Sequence, residues 1–538
     1  MKNENEKRLI LNMVHHNPGE APYESIYNDP EFLKRRGYNG EVFFLFESPL
    51  LAISWETVDP NFFPTGSAEK KWMDAKRAAI LKKHDACRRA GIDVYAQGDL
   101  VLLPTKLIER EQIRDVFGDP RHPRVQELLK IQIAETFDQF PALDGLVVRI
   151  GETYLHDAPF HSGAIHDKWS AAETIIPLAQ LLREEVCARR NKKLIFRTWL
   201  SFDRNLETYL NISAAVEPHP DFIFAVKHCE NDFHRATAFS EIIGKGRHPQ
   251  LIEVQCAREY EGKGAYPNYV MNGVIEGFEE HVKTAPENFN SLREFAGETP
   301  EMFAGIWTWC RGGGWDGPYI SNELWTDLNA YVVSQWGQNP AQSEAEIFNR
   351  YAAGELKLNA TDIQKFRRLC LLSAAAVVRG RNSTFGDMEV WWTRDQGIAW
   401  PGVEMWAEAN KSPEAIRRNL KQKDESVEIW KEIVALAEEI QWADAATKEF
   451  AIASSLYGLH LYEIYRALIY MADASTRGDA NDIRRRICAY DDAWAAYQKL
   501  PETYPSCATL YTKEYDCHIF NDNNADKKVE QLRMRYTP

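Results

Sequence analysis

Short apolar runs alternate with longer amphipathic stretches through residues 1–310. The runs are "RLILNMV" (8–14), "EVFFLFE" (41–47), "IDVYAQGD" (92–99), "LDGLVVRIGE" (143–152), "KLIFRTWLSF" (193–202), "DFIFAVKH" (221–228), "QLIEVQC" (250–256) and "MFAGIWTWC" (302–310). Each has the length and β-branched or aromatic content of a strand. Between them, stretches such as 68–91 and 170–191 repeat apolar residues at helical spacing. Strands that alternate with helices pair in parallel through crossover connections. Eight of them is the number that closes a (β/α)8 TIM barrel, so the fold class predicted is α/β. An open doubly wound sheet is the alternative, but no GxGxxG follows the first run.

From about residue 320 the pattern changes. Segments 322–337, 360–380, 412–440, 446–475 and 480–500 all carry helical periodicity, and strand-like runs nearly vanish. The organisation expected is a catalytic barrel over 1–325 followed by an all-α region over 326–538, without internal repeats.

Composition narrows the setting. The chain has 538 residues and a formal charge of −15, which disfavours nucleic acid and anionic membrane surfaces as partners. Nine cysteines lie scattered without CxxC spacing, so neither a disulfide framework nor a zinc ribbon is indicated. The N-terminus shows no apolar core followed by a cleavage site, and the longest nearly apolar run, 369–378, is too short to span a bilayer. The expectation is a cytoplasmic protein, unless a leader has been removed.

In a parallel barrel the active site forms at the C-terminal ends of the strands. The polar residues there are His15, His16 and Asn17; Glu47; Gln97 and Asp99; Arg149 and Glu152; Arg197 and Asp203; Lys227, His228, Glu230 and Asp232; Arg258, Glu259 and Glu261; and Arg311 after Trp307 and Trp309. Carboxylates and cations converge on one mouth. The chemistry suggested is acid/base catalysis, in which one carboxylic acid protonates a leaving oxygen while others activate water. For any one of these residues, a rim carboxylate paired with a neighbouring Arg is an equal alternative. A metal site in "KHCENDFH" (227–234) is disfavoured because His15 and His16 are adjacent rather than an HxH pair, and so point to opposite sides of a strand. "RGGGWDG" (311–317) lacks the lysine of a phosphate loop and reads as a turn that brings Trp315 to a ligand.

The order of these motifs resembles family 67 glycoside hydrolases, α-glucuronidases that remove glucuronic acid from xylan fragments. The likeness rests on "RLILNMVHHNPG", "RGYNG", "DGLVVRIGE", "FAVKHCENDF", "LIEVQCAREYEGKG" and "WDGPYISNELWTDLNAYVVSQWGQNP". The family carries an N-terminal β-rich domain, whereas this chain starts at strand one. The resemblance implies an inverting exo-glycosidase for a terminal α-linked uronic acid, working without cofactor or metal. It makes Glu152 the general acid, and Asp232 with Glu259 the base pair. Arg149, Arg197 and Lys227 would bind the uronate carboxylate. His16, Glu47, Asp99, Trp199, Tyr260, Trp309 and Trp315 would line the sugar site, with Tyr260 orienting Glu259. Arg258 and Glu261 are expected at the solvated rim. The partner implied is an oligosaccharide bearing a uronic acid, and the family's helical region often mediates a homodimer. Another sugar specificity on the same barrel, or a catalytically inactive carbohydrate-binding relative, stays open.

Overall fold

The structure is a computed structural model that describes residues 7–15, 17, 20, 23–150, 155, 158–163, 171–199, 202–233, 235, 237–313, 316–384, 395–401, 412–514 and 523–536. Ten strands are present among them: β1 Leu9–Val14, β2 Gly40–Phe43, β3 Asp93–Asp99, β4 Leu102–Pro104, β5 Leu143–Arg149, β6 His161–Gly163, β7 Lys193–Arg197, β8 Phe222–Lys227, β9 Gln250–Gln255 and β10 Phe303–Arg311. Eight of these close a barrel in the order β1-β2-β3-β5-β7-β8-β9-β10, with every pair parallel. The (β/α)8 barrel followed by a helical region is therefore the fold. The other two strands form a short antiparallel ribbon that ties the segment after β3 to the segment after β5.

Several strands stop sooner than their apolar runs. β2 ends at Phe43, and Leu45–Glu47 turns into a 3-10 helix whose Leu45 and Phe46 stay buried. β5 ends at Arg149 and β7 at Arg197. Hydrophobicity continues past the strand because the first loop residues also pack inside the mouth, so burial outlasts the ladder.

Alternation along each strand sorts its side chains into two layers. Leu9, Leu11 and Met13, Tyr95, Val147, Ile195, Ile223 and Ala225, Leu251, Trp307 and Trp309 form the barrel interior. Their neighbours in sequence, such as Ile10, Val94, Leu146, Leu194, Phe224 and Ile252, belong to the larger core between barrel and helices. The base of the barrel is filled by Tyr95, whose ring takes the space that side chains on Gly40 and Gly145 would need.

Helix Ala68–Ala90 begins where the Ser67 side chain accepts from the Lys70 amide and ends at Gly91 in the left-handed region. After β10, helix Leu324–Gln338 lies against the barrel so closely that a Cβ on Gly337 would come 2.8 Å from Ile306 and 3.0 Å from Ile10. Helices Ala360–Arg381, Pro413–Glu439, Ala445–Arg477 and Ala480–Gln498 follow. Buried polar groups lock this region to the barrel. Asp327 accepts from Tyr27 (2.7 Å), Tyr351 (2.9 Å) and Arg36 (2.8 Å), and Tyr266 packs on Trp430 and Tyr462.

Gly145→Ala tests the packing at the base. Its Cβ would stand 2.4 Å from the Lys193 carbonyl and 3.0 Å from the Tyr95 ring, and backbone cannot rotate aside. The expected loss is about 1–3 kcal/mol, read as a lower denaturant midpoint.

Candidate active site at the C-terminal mouth

Inward alternation carries charge to the top of the barrel. Asp99 on β3 and Arg149 on β5 are register partners. The guanidinium of Arg149 forks onto the carboxylate of Asp99 at 2.9 and 3.0 Å, with both residues buried. Arg197 on β7 is fully buried and forks onto Glu253 on β9 at 2.8 and 2.7 Å. These two strands are not neighbours, because β8 runs between them. The bridge is possible because Arg197 pairs in register with Ala225, whose methyl leaves the path open. The guanidinium also lies over Trp307 (5.2 Å) and Trp309 (5.0 Å), a placement the indole quadrupoles favour.

Lys227 ends β8, beside Glu253 in register. Its ammonium sits 3.2 Å from the ring centre of Trp199 and donates to Asp232. Phe233 and Trp309 stand at 5.1 and 5.5 Å. Asp232 and Phe233 both have left-handed backbone, φ 55° and 65°, an uncommon conformation for side-chain-bearing residues. That turn brings the Asp232 carboxylate back onto the strand end. Burial holds the neighbouring Asp203 carboxyl above its ordinary range, against the pull of Lys227 and Arg204.

Glu259 is buried four residues beyond β9, and its amide donates to the inward-facing Gln255 side chain at 2.7 Å. Its carboxylate is covered by the glycine run after β10: a Cβ on Gly313 would lie 2.8 Å from Oε1, and one on Gly312 3.0 Å from the Glu259 Cα. Those glycines admit backbone to the carboxylate, as well as turning the loop. Lys263 is buried nearby and donates to the Gly317 carbonyl at 2.6 Å. Burial lowers its ammonium to about 8, opposed by the attraction of Asp395 and Glu259. Glu20 is held ionised in spite of burial, through Arg311 and hydrogen bonds from Tyr319 and Asn17. Asp395 lies beyond the barrel in sequence, so the C-terminal region contributes to the field at Lys263.

Arg258 and Glu261 correct the expectation of a solvated rim. They are 2% exposed each and form an ion pair at 3.0 Å, with Asn268 also donating to Glu261 at 2.8 Å. Their charges neutralise one another beneath the loop.

The structure thus gathers Asp99, Arg149, Arg197, Lys227, Trp199, Trp309 and Asp232 at one end of the barrel, with Glu259 and half-buried Tyr260 on the next loop. Glu47 lies elsewhere: it pairs with Lys83 on helix Ala68–Ala90 and lines a separate cavity that none of the other expected site residues among those described touches. Glu152, His16 and Trp315 fall outside the described residues. Sequence reading missed Glu253, Lys263 and Glu20 as site residues. Glu253 had a signal, since an acid two positions before Gln255 on an otherwise apolar strand shares its inward face. Lys263 and Glu20 had none, because loop geometry alone brings them in. Among the described residues, no three His, Cys, Asp or Glu side chains gather as a metal site, and no helix is long and apolar enough to cross a membrane.

No protein-family model matches the chain, and no curated protein matches it. Among solved structures it is similar to a GH138 enzyme targeting pectin rhamnogalacturonan II, with 11% identity and a TM-score of 0.56 over 98% of this chain and 67% of that one. CpGH84D aligns with 11% identity and a TM-score of 0.42, covering 98% and 76% of the two chains. An O-GlcNAc hydrolase mutant of Thermobaculum terrenum aligns with 10% identity and a TM-score of 0.40, covering 98% and 94%. At such identities the likeness is one of fold alone. Family 67 membership is not among these findings.

The Arg197–Glu253 pair yields a test. Glu253→Gln leaves a buried guanidinium without its counter-charge and should cost about 3–5 kcal/mol, whereas Arg197→Met with Glu253→Met removes both charges and should recover most of the loss. Denaturant unfolding of wild type, Arg197→Met, Glu253→Met and the double variant gives the coupling. Additive losses would mean that the two side chains do not act as a pair.

Proposed function

We propose that the protein is a glycoside hydrolase, exo-acting on a terminal α-linked uronic acid of a polysaccharide-derived oligosaccharide. The observation that carries this reading is the presence of two carboxylates, Asp232 and Glu259, just past adjacent strands of a closed parallel barrel. Around them stand buried ion pairs and the indole faces of Trp199 and Trp309. Carboxylates in such a mouth can activate water, and indole faces can stack on sugar rings. In this reading Glu152 protonates the leaving oxygen, and Asp232 with Glu259 orients and deprotonates the water. Lys227 attracts the substrate carboxylate. The sequence likeness to family 67 supports inversion and the uronate.

One observation favours a second reading, a neutral sugar on the same barrel. The forks of Arg149 and Arg197 are both occupied by protein carboxylates, which leaves less cationic capacity for a uronate. The GH138 neighbour targets pectin rhamnogalacturonan II, so fragments of that polymer belong in the substrate panel.

The test is sugar release from oligosaccharides ending in α-linked glucuronic or galacturonic acid, rhamnogalacturonan II fragments and neutral counterparts, with the first anomer followed by NMR. Release of a uronic acid with inverted configuration is expected, and Glu152→Gln, Asp232→Asn and Glu259→Gln should each lower kcat about 100- to 10,000-fold while sparing binding. Release of neutral sugars only would establish the second reading. Binding without release from any compound would make the protein a carbohydrate-binding relative.

Gly313→Ala probes the same centre without altering a charge. Its Cβ would displace the Glu259 carboxylate, so kcat should fall at least tenfold with an unchanged unfolding midpoint. Unchanged kcat would remove Glu259 from the chemistry.

A further inference from the structure

Behind β2, on the outer side of the barrel wall, lies a cavity of about 270 Å³ lined by Tyr23, Phe43, Phe44, Glu41, Glu47 and Lys83 among others. That volume is near the lower end of the range for small-molecule pockets, about 300–1,000 Å³. Glu41 belongs to it by strand alternation: it is the register partner of Asn12 on β1, and both face the helix layer. Glu41 is 7% exposed. One of its carboxyl oxygens accepts from Asn12 Nδ2 at 2.8 Å, and the other meets no hydrogen-bond donor among the described residues. Lys83, which also lines the cavity, is engaged by Glu47 at its edge.

We propose that this cavity is a binding site for a small organic ammonium ion, with Glu41 as its counter-charge and Tyr23 and Phe43 among its lining residues. A buried carboxylate without a cation is costly, whereas an ammonium group supplies both the opposite charge and the missing donor. Aromatic faces attract the same kind of ligand. Among the described residues the lining holds one deeply buried carboxylate, which suits an ammonium group better than a hard metal ion that takes about six or more oxygen ligands.

Proton linkage makes the idea specific. Burial pushes the Glu41 carboxyl well above the usual carboxylate range, and Glu47 adds to the effect, whereas Asn12 and Lys83 oppose it. Cys87, itself raised by burial and by Glu41, faces the same space, with Glu24 and Tyr23 at the rim. A bound cation favours the ionised form of Glu41, so binding near neutral pH releases a proton.

The test is calorimetric titration of the full chain with ethanolamine, 1,4-diaminobutane and glucosamine, each against its neutral counterpart ethylene glycol, 1,4-butanediol or glucose. At least one amine should bind saturably, with proton release seen as a heat that depends on the buffer's ionisation enthalpy, while the neutral compounds do not bind. Glu41→Gln should weaken binding at least tenfold and abolish the proton release. Ala86→Phe, which fills the cavity from helix Ala68–Ala90 with Glu41 intact, should also abolish binding. Sugar hydrolysis by both variants should match wild type, which separates this site from the barrel mouth. Absence of binding by all three amines, equal binding of the neutral compounds, or unchanged binding by Glu41→Gln would each overturn the proposal. So would binding of magnesium or calcium in place of the amines.

Discussion

Charge inside a closed barrel has nowhere to go. Side chains at Asp99, Arg149, Arg197, Lys227 and Glu253 point inward because strand alternation aims them there, and closure leaves no edge through which they could reach water. Each must find its counter-charge within the ring. Arg197 and Glu253 meet this constraint across an intervening strand, which requires the small Ala225 between them. The rest of the mouth is arranged around that bridge. Its guanidinium is covered by Trp307 and Trp309, and Trp309 in turn is stacked by His15 (5.4 Å) and edged by Phe233 (5.4 Å). A buried pair of this kind contributes little net stability, because desolvation offsets most of the attraction. It contributes position: two planar groups joined by two hydrogen bonds fix the Trp307 and Trp309 indoles at the top of the barrel interior.

The ion pairs also divide the mouth by accessibility. Asp99–Arg149 and Arg197–Glu253 are bidentate and deeply buried. Lys227–Asp232 is different, since the Asp232 side chain is 26% exposed and reaches the lysine from a left-handed turn. Glu259 is different again. It faces Lys263, a lysine lowered by burial that also feels Arg311, Glu20 and, from the C-terminal region, Asp395. Asp395 thus acts on Lys263 from beyond the barrel.

Much of the fold was legible because alternation and helical periodicity are local properties. The barrel strands fall on the apolar runs, and only Gly40 at the start of β2 and Arg311 at the end of β10 lie beyond them. The long helix after β2 begins at a serine cap and ends at a glycine. Strand ends were less legible. Leu45, Phe46 and Trp199 are as apolar as the strands before them, yet they pack in loops. That Asp99, Arg149, Arg197 and Lys227 face the barrel interior was legible from strand parity, but their partners were not. That Arg149 would meet Asp99 follows from register, and that Arg197 would skip a strand to reach Glu253 follows from side-chain size at Ala225. Both depend on which strands become neighbours. Glu47 shows the reverse case: β2 ends in a 3-10 helix, which sets this carboxylate against Lys83 rather than beside Asp99 and Lys227.

The segment "AREYEGKG" condenses the problem. Arg258, Glu259, Glu261 and Lys263 stand so close in sequence that they read as a surface knot, yet the chain sorts them with backbone geometry. Glu261 and Lys263 both donate their amides to the Arg258 carbonyl at 3.1 and 3.0 Å, and Gly262, Lys263 and Gly264 all take left-handed backbone. So tight a reversal puts Arg258 and Glu261 on its inner side, where they cancel, and leaves Glu259 facing the loop after β10. A Cβ at Gly262 would collide with the Tyr266 ring at 2.2 Å, so the turn is also pressed against the core that joins barrel to helices. The position of one carboxylate therefore rests on glycines in two loops, Gly262 beneath it and Gly313 above. Charge pattern alone could not distinguish it from its neighbours, because what separates them is the space that missing side chains leave.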